Sequence, residues 1–209
     1  MESEASETDA LVALSEVLVE YGNRRTNPVL DVLPESEPFQ LNRKYPEQRL
    51  RFGSDQWRAY YHSHSDQYPS PWDEHGHFHL FYRVDDQGDS ANDWSHIVAL
   101  SMSAEGQPVR WFTVNNWVCG DRWLEAPELV KRVRFSSDGD VPAGRWLACL
   151  TNFYRDQIVK LLLCRDQALH QARKQQSLSD ALSNRNIYYL ANQAIDLKRE
   201  LGIALDQQR

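Results

Sequence analysis

Residues 57–83 decide how this chain folds, and they read WRAYYHSHSDQYPSPWDEHGHFHLFYR. Two runs rich in aromatic residues, Trp57–His64 and His75–Val84, are separated by the polar, proline-containing link Ser65–Glu74. Runs of this kind bounded by turn residues predict two β-strands. Five of the seven histidines of the chain lie in this stretch, namely His62, His64, His75, His77 and His79.

The alternation of side chains along a strand predicts that these histidines share one face of a β-hairpin. In the first strand His62 and His64 alternate with apolar residues, and in the second His75, His77 and His79 do so. If the strands pair, both histidine sets must lie on one side of the sheet, because otherwise an apolar face would be exposed. The length of the link predicts the pairs His64–His75, His62–His77 and Tyr60–His79.

Clustered imidazoles of this kind are typical of a transition-metal site, because neutral imidazole is the commonest metal ligand. All five hairpin histidines are candidate ligands, and zinc or iron is the expected metal. Glu74, Asp66 and Asp73 lie in the link beside them. We take Glu74 as a candidate general acid/base or further ligand, so that the site could support a metal-dependent hydrolase or oxygenase.

The motif HGHFHLF (residues 75–81) resembles the signature of the histidine-triad nucleotide hydrolases and transferases. That resemblance implies a metal-free reaction in which His77 attacks a phosphorus atom. Arg58 and Arg83 are then candidate cofactor-binding residues, because guanidinium groups attract phosphate. Gly76 stands where the family pattern has a larger apolar residue, and the upstream His62–His64 pair is not part of it.

A third hypothesis is that the protein is a non-enzymatic binding or assembly module in which the histidines form a structural polar network. Whether the protein is an enzyme is therefore left open. The sequence also leaves open whether His96 or Cys119 joins the site. His96 shares the alternation of Val98, Leu100 and Met102, which favours a core position.

The rest of the chain predicts an α+β fold. A helix is expected over Thr8–Tyr21, followed by an irregular segment over residues 24–56 that four prolines interrupt. Strands over Ser95–Ser103 and Val109–Trp117 complete an antiparallel meander of about four strands. A short helix near Pro127–Val133, a long helix from Pro142 to about Leu169 and a last helix over Ser179–Leu205 follow, the last two forming a C-terminal helical hairpin.

We divide the chain into an N-terminal helix and wrapping segment (1–56), a histidine-rich sheet core (57–123) and a helical region (124–209), all within one globular domain. The strings WRAYYHSH, EHGHFHLFYR and VRWFTVNNWV resemble a bacterial family known only as a domain of unknown function. This resemblance covers about Trp57 to Trp123 and implies no activity.

The charge and composition of the chain limit the classes of partner that we expect. The formal net charge of −7 argues against a general nucleic-acid binder. The acidic start MESEASETDA is unlike a secretory signal, and no apolar run approaches the length of a membrane helix, so we expect a cytoplasmic protein. A small-molecule ligand and a homo-oligomer formed through the C-terminal helices are the expected partners.

Overall fold

The structure is a computed structural model that describes residues 7–35, 37–64, 70–85, 90–139 and 141–207. Its centre is an antiparallel sheet in which every strand pairs with its neighbour in sequence. The strands are β1 (Tyr45–Phe52), β2 (Trp57–His62), β3 (Gly76–Arg83), β4 (Trp94–Met102), β5 (Pro108–Val114) and β6 (Tyr189–Ala194). The helices are α1 (Glu7–Arg24), α2 (Asn116–Cys119), α3 (Ala126–Arg132), α4 (Pro142–Phe153), α5 (Arg155–Ala172), α6 (Leu178–Ser183) and α7 (Leu197–Asp206).

The predicted α+β class and the meander are confirmed, but the sheet has six strands among the described residues and not about four. β1 lies inside the segment that was expected to be irregular. Pro46 is its second residue and β1 is an edge strand, a place where the sheet tolerates the missing N–H of proline.

The helix layout is roughly as predicted, but each of the two long C-terminal helices is interrupted. The long helix expected from Pro142 ends at Phe153, and α5 begins at Arg155, so that the buried ring of Tyr154 packs against Trp111. The last predicted helix is interrupted by β6, in which Trp111 pairs with Gln193 and Phe112 with Asn192. A homo-oligomer formed through the C-terminal helices remains a prediction.

The main core lies between one face of the sheet and the helices. α4 contacts α1 and β1, while α5 contacts β4, β5 and β6. Phe78, Leu80, Val98 and Leu100 point to this side and are fully buried. Burial of such aliphatic and aromatic side chains is the main favourable contribution to folding.

The second face of the sheet is also covered along β3 and β4. Almost every residue of these two strands is buried, including those that point away from the helices. Trp72, Val118, Cys119, Tyr188 and Tyr189 pack over this face against Ala99, Phe112 and Val114. The histidines are therefore enclosed between the sheet and a second, thinner layer.

None of the helices within the described ranges is long and apolar enough to cross a membrane.

Candidate metal centre

The β2–β3 hairpin brings three histidines together on the second face of the sheet. His62 pairs directly with His77, as alternation predicted, and their ring centroids are 4.6 Å apart. His64, just beyond β2, lies 4.6 Å from the His62 ring and 5.1 Å from the His77 ring. One ligand atom of each residue lies within 4.8 Å of the other two, so this set could hold a metal ion.

The donor set and its spacing fit a transition metal. Nitrogens bound to one tetrahedral zinc ion at about 2.0–2.1 Å are about 3.3 Å apart. From a separation of at most 4.8 Å the ligand atoms need to approach by about 1.5 Å or less, which side-chain rotation can supply. The Nε2 atoms of His62 and His77 are buried and have no hydrogen-bond partner among the described residues. A buried polar atom without a partner is costly, and a metal ion would satisfy both.

Glu74 fixes the orientation of His77. Its Oε1 lies 2.8 Å from His77 Nδ1, and both side chains are at least 95% buried. Its Oε2 accepts hydrogen bonds from Trp72 Nε1, at 2.9 Å, and from the Ser101 hydroxyl. Because one ring nitrogen is bound to the carboxylate, the lone pair of the other is available to a metal ion, which is the usual arrangement around metal-bound histidine.

The electrostatics keep these groups in their metal-binding forms. Burial, together with His77, His64 and Lys44, lowers the pKa of His62 to about 2. Burial and His77 also lower the pKa of His64. Burial alone would raise the pKa of Glu74, but the hydrogen bonds from His77, Ser101 and Trp72 outweigh it and bring that pKa to about 2. At neutral pH, His62 and His64 are neutral and Glu74 is ionised.

A second group, His79, His96 and Cys119, lies directly beside the first. The His79 ring is 4.9 Å from the His77 ring, and His79 Nδ1 lies 3.0 Å from His96 Nε2. The ligand atoms of this group also lie within 4.8 Å of one another. Burial, with like-charge repulsion from His77 and from His96, lowers the pKa of His79 well below its ordinary value. Burial raises the pKa of the Cys119 thiol.

His96 reaches this face because of a β-bulge. Leu80 pairs with Val98 but Phe81 pairs with His96, so Ile97 is an extra residue in β4. An inserted residue reverses the alternation on one side of it. The prediction that His96 shares a face with Val98 is therefore wrong, and His96 lies with the other histidines.

His75 is the hairpin histidine that does not join them. It precedes β3 and is exposed, and its Nδ1 is 2.6 Å from the Tyr61 hydroxyl, with its ring near Phe39. Gly76 allows this turn, since a Cβ there would lie 2.6 Å from the backbone oxygen of His62. The predicted pair His62–His77 is found, as is Tyr60–His79, whereas His64 and His75 lie outside the paired strands.

The two predicted cofactor-binding arginines lie at the opposite end of the hairpin. The Arg58 guanidinium is 4.5 Å from the centre of a Trp94 ring and the Arg83 guanidinium 4.8 Å, and Arg83 also pairs with Asp55. Arg58 is four residues from His62, a separation of about 13 Å along an extended strand. The structure therefore does not bring Arg58 or Arg83 to His77. Asp66, in the link, lies outside the described residues.

Three residues near the histidines were not predicted to have a part in the site. Ser101 pairs with His77 across β3 and β4, which strand alternation could have indicated. The Tyr188 hydroxyl lies 3.4 Å from His64 Nε2, in a segment whose apolar residues had suggested a helix. Asp121 accepts a hydrogen bond from the backbone N–H of His96, and no pattern in the sequence linked the two.

Comparison with known proteins identifies the family but names no activity. A domain of unknown function (DUF6969) matches residues 8–195. Searches of curated proteins and of solved structures gave no match. The resemblance of the core strings to an uncharacterised family is thus confirmed, and it extends far beyond Trp57–Trp123. The chain belongs to the DUF6969 family, a domain of unknown function.

Proposed function

We propose that this protein is a metal-dependent hydrolase whose metal ion is held by His62, His64 and His77. The observation that carries the proposal is the pair of buried Nε2 atoms of His62 and His77, which lack hydrogen-bond partners among the described residues. A structural histidine network would satisfy its own buried nitrogens, since leaving them unpaired costs stability. A metal ion supplies the missing partner.

Imidazole ligands bring no negative charge, so the full charge of a divalent ion would be available to a substrate. Zinc with three protein ligands and one open position polarises a bound carbonyl or phosphoryl group and lowers the pKa of bound water. His64 is the partly exposed member of the set, so a substrate would approach the three residues from its side. Glu74 acts as a positioning residue, because its contacts are with His77, Trp72 and Ser101.

The charges around the site favour a small anionic substrate. Lys44 Nζ and the Arg49 guanidinium lie 4.5 and 5.1 Å from the centre of the Tyr60 ring. That ring in turn lies 5.5 Å from His62 and 5.3 Å from His79. Cations beside a site attract anions and raise their local concentration. We therefore propose a carboxylate- or phosphate-bearing small molecule as substrate.

The histidine-triad alternative has less support from the same geometry. The His77 side chain is 1% exposed, so a phosphate group has no open approach to its Nε2, the ring nitrogen not bound to Glu74. The arginines that would bind phosphate are stacked on Trp94 at the other end of the hairpin.

Zinc titration of untagged protein tests the proposal, with two single-histidine variants as a matched pair. His64→Ala removes a proposed ligand, and His75→Ala removes a hairpin histidine whose ring nitrogen pairs with Tyr61. We expect His64→Ala to weaken zinc binding and abolish zinc-dependent hydrolysis of ester or phosphoester model substrates, and His75→Ala to retain both. Equal zinc stoichiometry and affinity in wild type and His64→Ala would overturn the metal site.

The same protein samples also test the proposed hydrolase activity. Zinc binding without hydrolysis of any ester, phosphoester or amide model substrate would contradict the hydrolase assignment while leaving the metal site intact. Purification with iron and metal-dependent oxygen consumption would replace the hydrolase by an oxygenase.

A further inference from the structure

We propose that His79, His96 and Cys119 form a second metal site, a structural zinc site that fastens α2 to the sheet. The three side chains come from three different elements, β3, β4 and α2. They share no ligand with the set formed by His62, His64 and His77. The second site can therefore be tested separately from the proposed hydrolase centre.

The spacing of the donor atoms is already close to that of a metal site. His79 Nδ1 lies 3.0 Å from His96 Nε2 and 3.7 Å from Cys119 Sγ. For a tetrahedral zinc ion with Zn–N of about 2.05 Å and Zn–S of about 2.3 Å, the expected separations are about 3.3 Å for N–N and about 3.6 Å for N–S. The side chains thus need only small rotations to surround one ion.

A buried carboxyl group lies beside these ligands. The carboxyl group of Asp121 accepts a hydrogen bond from the His96 backbone N–H, and its other oxygen is buried with no hydrogen-bond partner in the described part of the chain. A cation at the adjoining ligands would offset the cost of this buried, unpaired oxygen.

The position of its ligands assigns the second site a structural part. His79 and His96 are buried and Cys119 is partly exposed, so the burial of this set matches that of His62, His64 and His77. α2 is a single short turn that ends at Gly120 in the left-handed conformation. A ligand at its last residue would hold this turn against β3 and β4.

Metal binding here is an exchange of a proton for a cation. The Cys119 S–H bond breaks, the metal–sulfur bond forms, and one proton per ion is released to the buffer. The two imidazoles bind as neutral ligands and release no proton when the pH is near neutral. No oxidant or reductant is needed.

Cobalt(II) titration of the full chain tests the proposal, because cobalt replaces zinc and a cobalt–thiolate bond gives a charge-transfer absorption band. We expect wild type to bind two equivalents and to show the band. Cys119→Ser should lose the band and one equivalent, and Cys164→Ser, which alters the exposed cysteine, should keep both. His64→Ala should lose one equivalent and keep the band.

His96→Gln serves as a second variant in case Cys119→Ser does not fold, since glutamine can still form a hydrogen bond to His79. It too should lose one equivalent. The proposal is overturned if wild type shows no thiolate band, or if folded Cys119→Ser or His96→Gln still binds two equivalents. If wild type shows the thiolate band but binds only one equivalent of cobalt, the proposed hydrolase centre is contradicted and the second site is not.

Discussion

Replacing Glu74 by glutamine tests whether its carboxylate prepares His77 for a metal ion. The change keeps the size of the side chain and its contact with His77 Nδ1, now 2.8 Å from Oε1, but removes the negative charge. Both side chains are almost completely buried, so water cannot replace that charge. Loss of a partner of this kind typically weakens metal binding about 10- to 100-fold, equivalent to about 1.4–2.7 kcal/mol.

Zinc affinity is measured by competition with a chromophoric chelator at neutral pH, on protein whose fold is checked by circular dichroism. Glu128→Gln provides the control, because Glu128 is a half-exposed residue of α3 paired with Arg132. We expect Glu128→Gln to bind zinc like wild type. Glu74→Gln should fall within the range above.

A double-mutant cycle shows whether Glu74 acts through His77. In a His77→Ala background the ring that Glu74 orients is missing, so Glu74→Gln should change zinc affinity little further. The reasoning is refuted if Glu74→Gln binds zinc as tightly as wild type. It is also refuted if the substitution weakens binding equally with and without His77.

Three further outcomes follow from the same structure. Burial lowers the pKa of His62 to about 2 and of His96 to about 3. As the pH falls below about 6.5, the free energy of unfolding of the metal-free protein should therefore decrease by about 1.4 kcal/mol per pH unit for each of these histidines. The unfolded chain then binds more protons than the folded one, so stability falls with pH; denaturant titrations at several pH values measure it. Gly76→Ala should destabilise the protein by about 1–3 kcal/mol, since its Cβ would lie 2.6 Å from a backbone oxygen, whereas Gly22→Ala in α1 meets no atom within 4 Å. Lys44→Gln should raise KM for anionic substrates up to about fivefold, equivalent to about 1 kcal/mol or less, with kcat nearly unchanged.

Each of these has a contrary result. Stability of the metal-free protein that is independent of pH between about 6.5 and 4 would mean that the histidines are not held neutral by burial. Equal unfolding free energies for Gly76→Ala and Gly22→Ala would contradict the close approach of β2 and β3. An unchanged KM for Lys44→Gln with anionic substrates would remove the electrostatic argument for the substrate class.

Strand alternation predicted the centre of the sheet well because one face of each strand is apolar. The pair His62–His77 follows from this pattern and from the length of the link. A one-residue shift would have placed the apolar residues Phe78 and Leu80 on the wrong side, which strongly disfavours other registers.

Irregularities in the strands could not be predicted in this way. The extra residue Ile97 moves His96 to the histidine face, and nothing in its immediate sequence marks it as a bulge. His75 follows the HxHxH alternation, yet β3 begins only at Gly76, so its side chain joins Tyr61 instead. Alternation holds only as far as the strand does.

The C-terminal region was misjudged because a short apolar run can fit either a helix or a strand. Tyr189 and Leu190 match the helical spacing of Leu182 and Leu197, but β5 offers an unpaired edge that Tyr189–Ala194 completes. Pairing with a distant strand is a tertiary effect, and the local spacing of apolar residues does not reveal it. Tyr188 reaches His64 only as a consequence of that pairing.

The central claim is that His62, His64 and His77 hold a metal ion. An anomalous difference map at the zinc absorption edge, from crystals of zinc-loaded protein, tests it most directly. We predict a peak about 2.0–2.1 Å from one nitrogen of each of the three rings, with Glu74 on the other nitrogen of His77. Folded, zinc-saturated protein that shows no peak between these three residues would contradict the account.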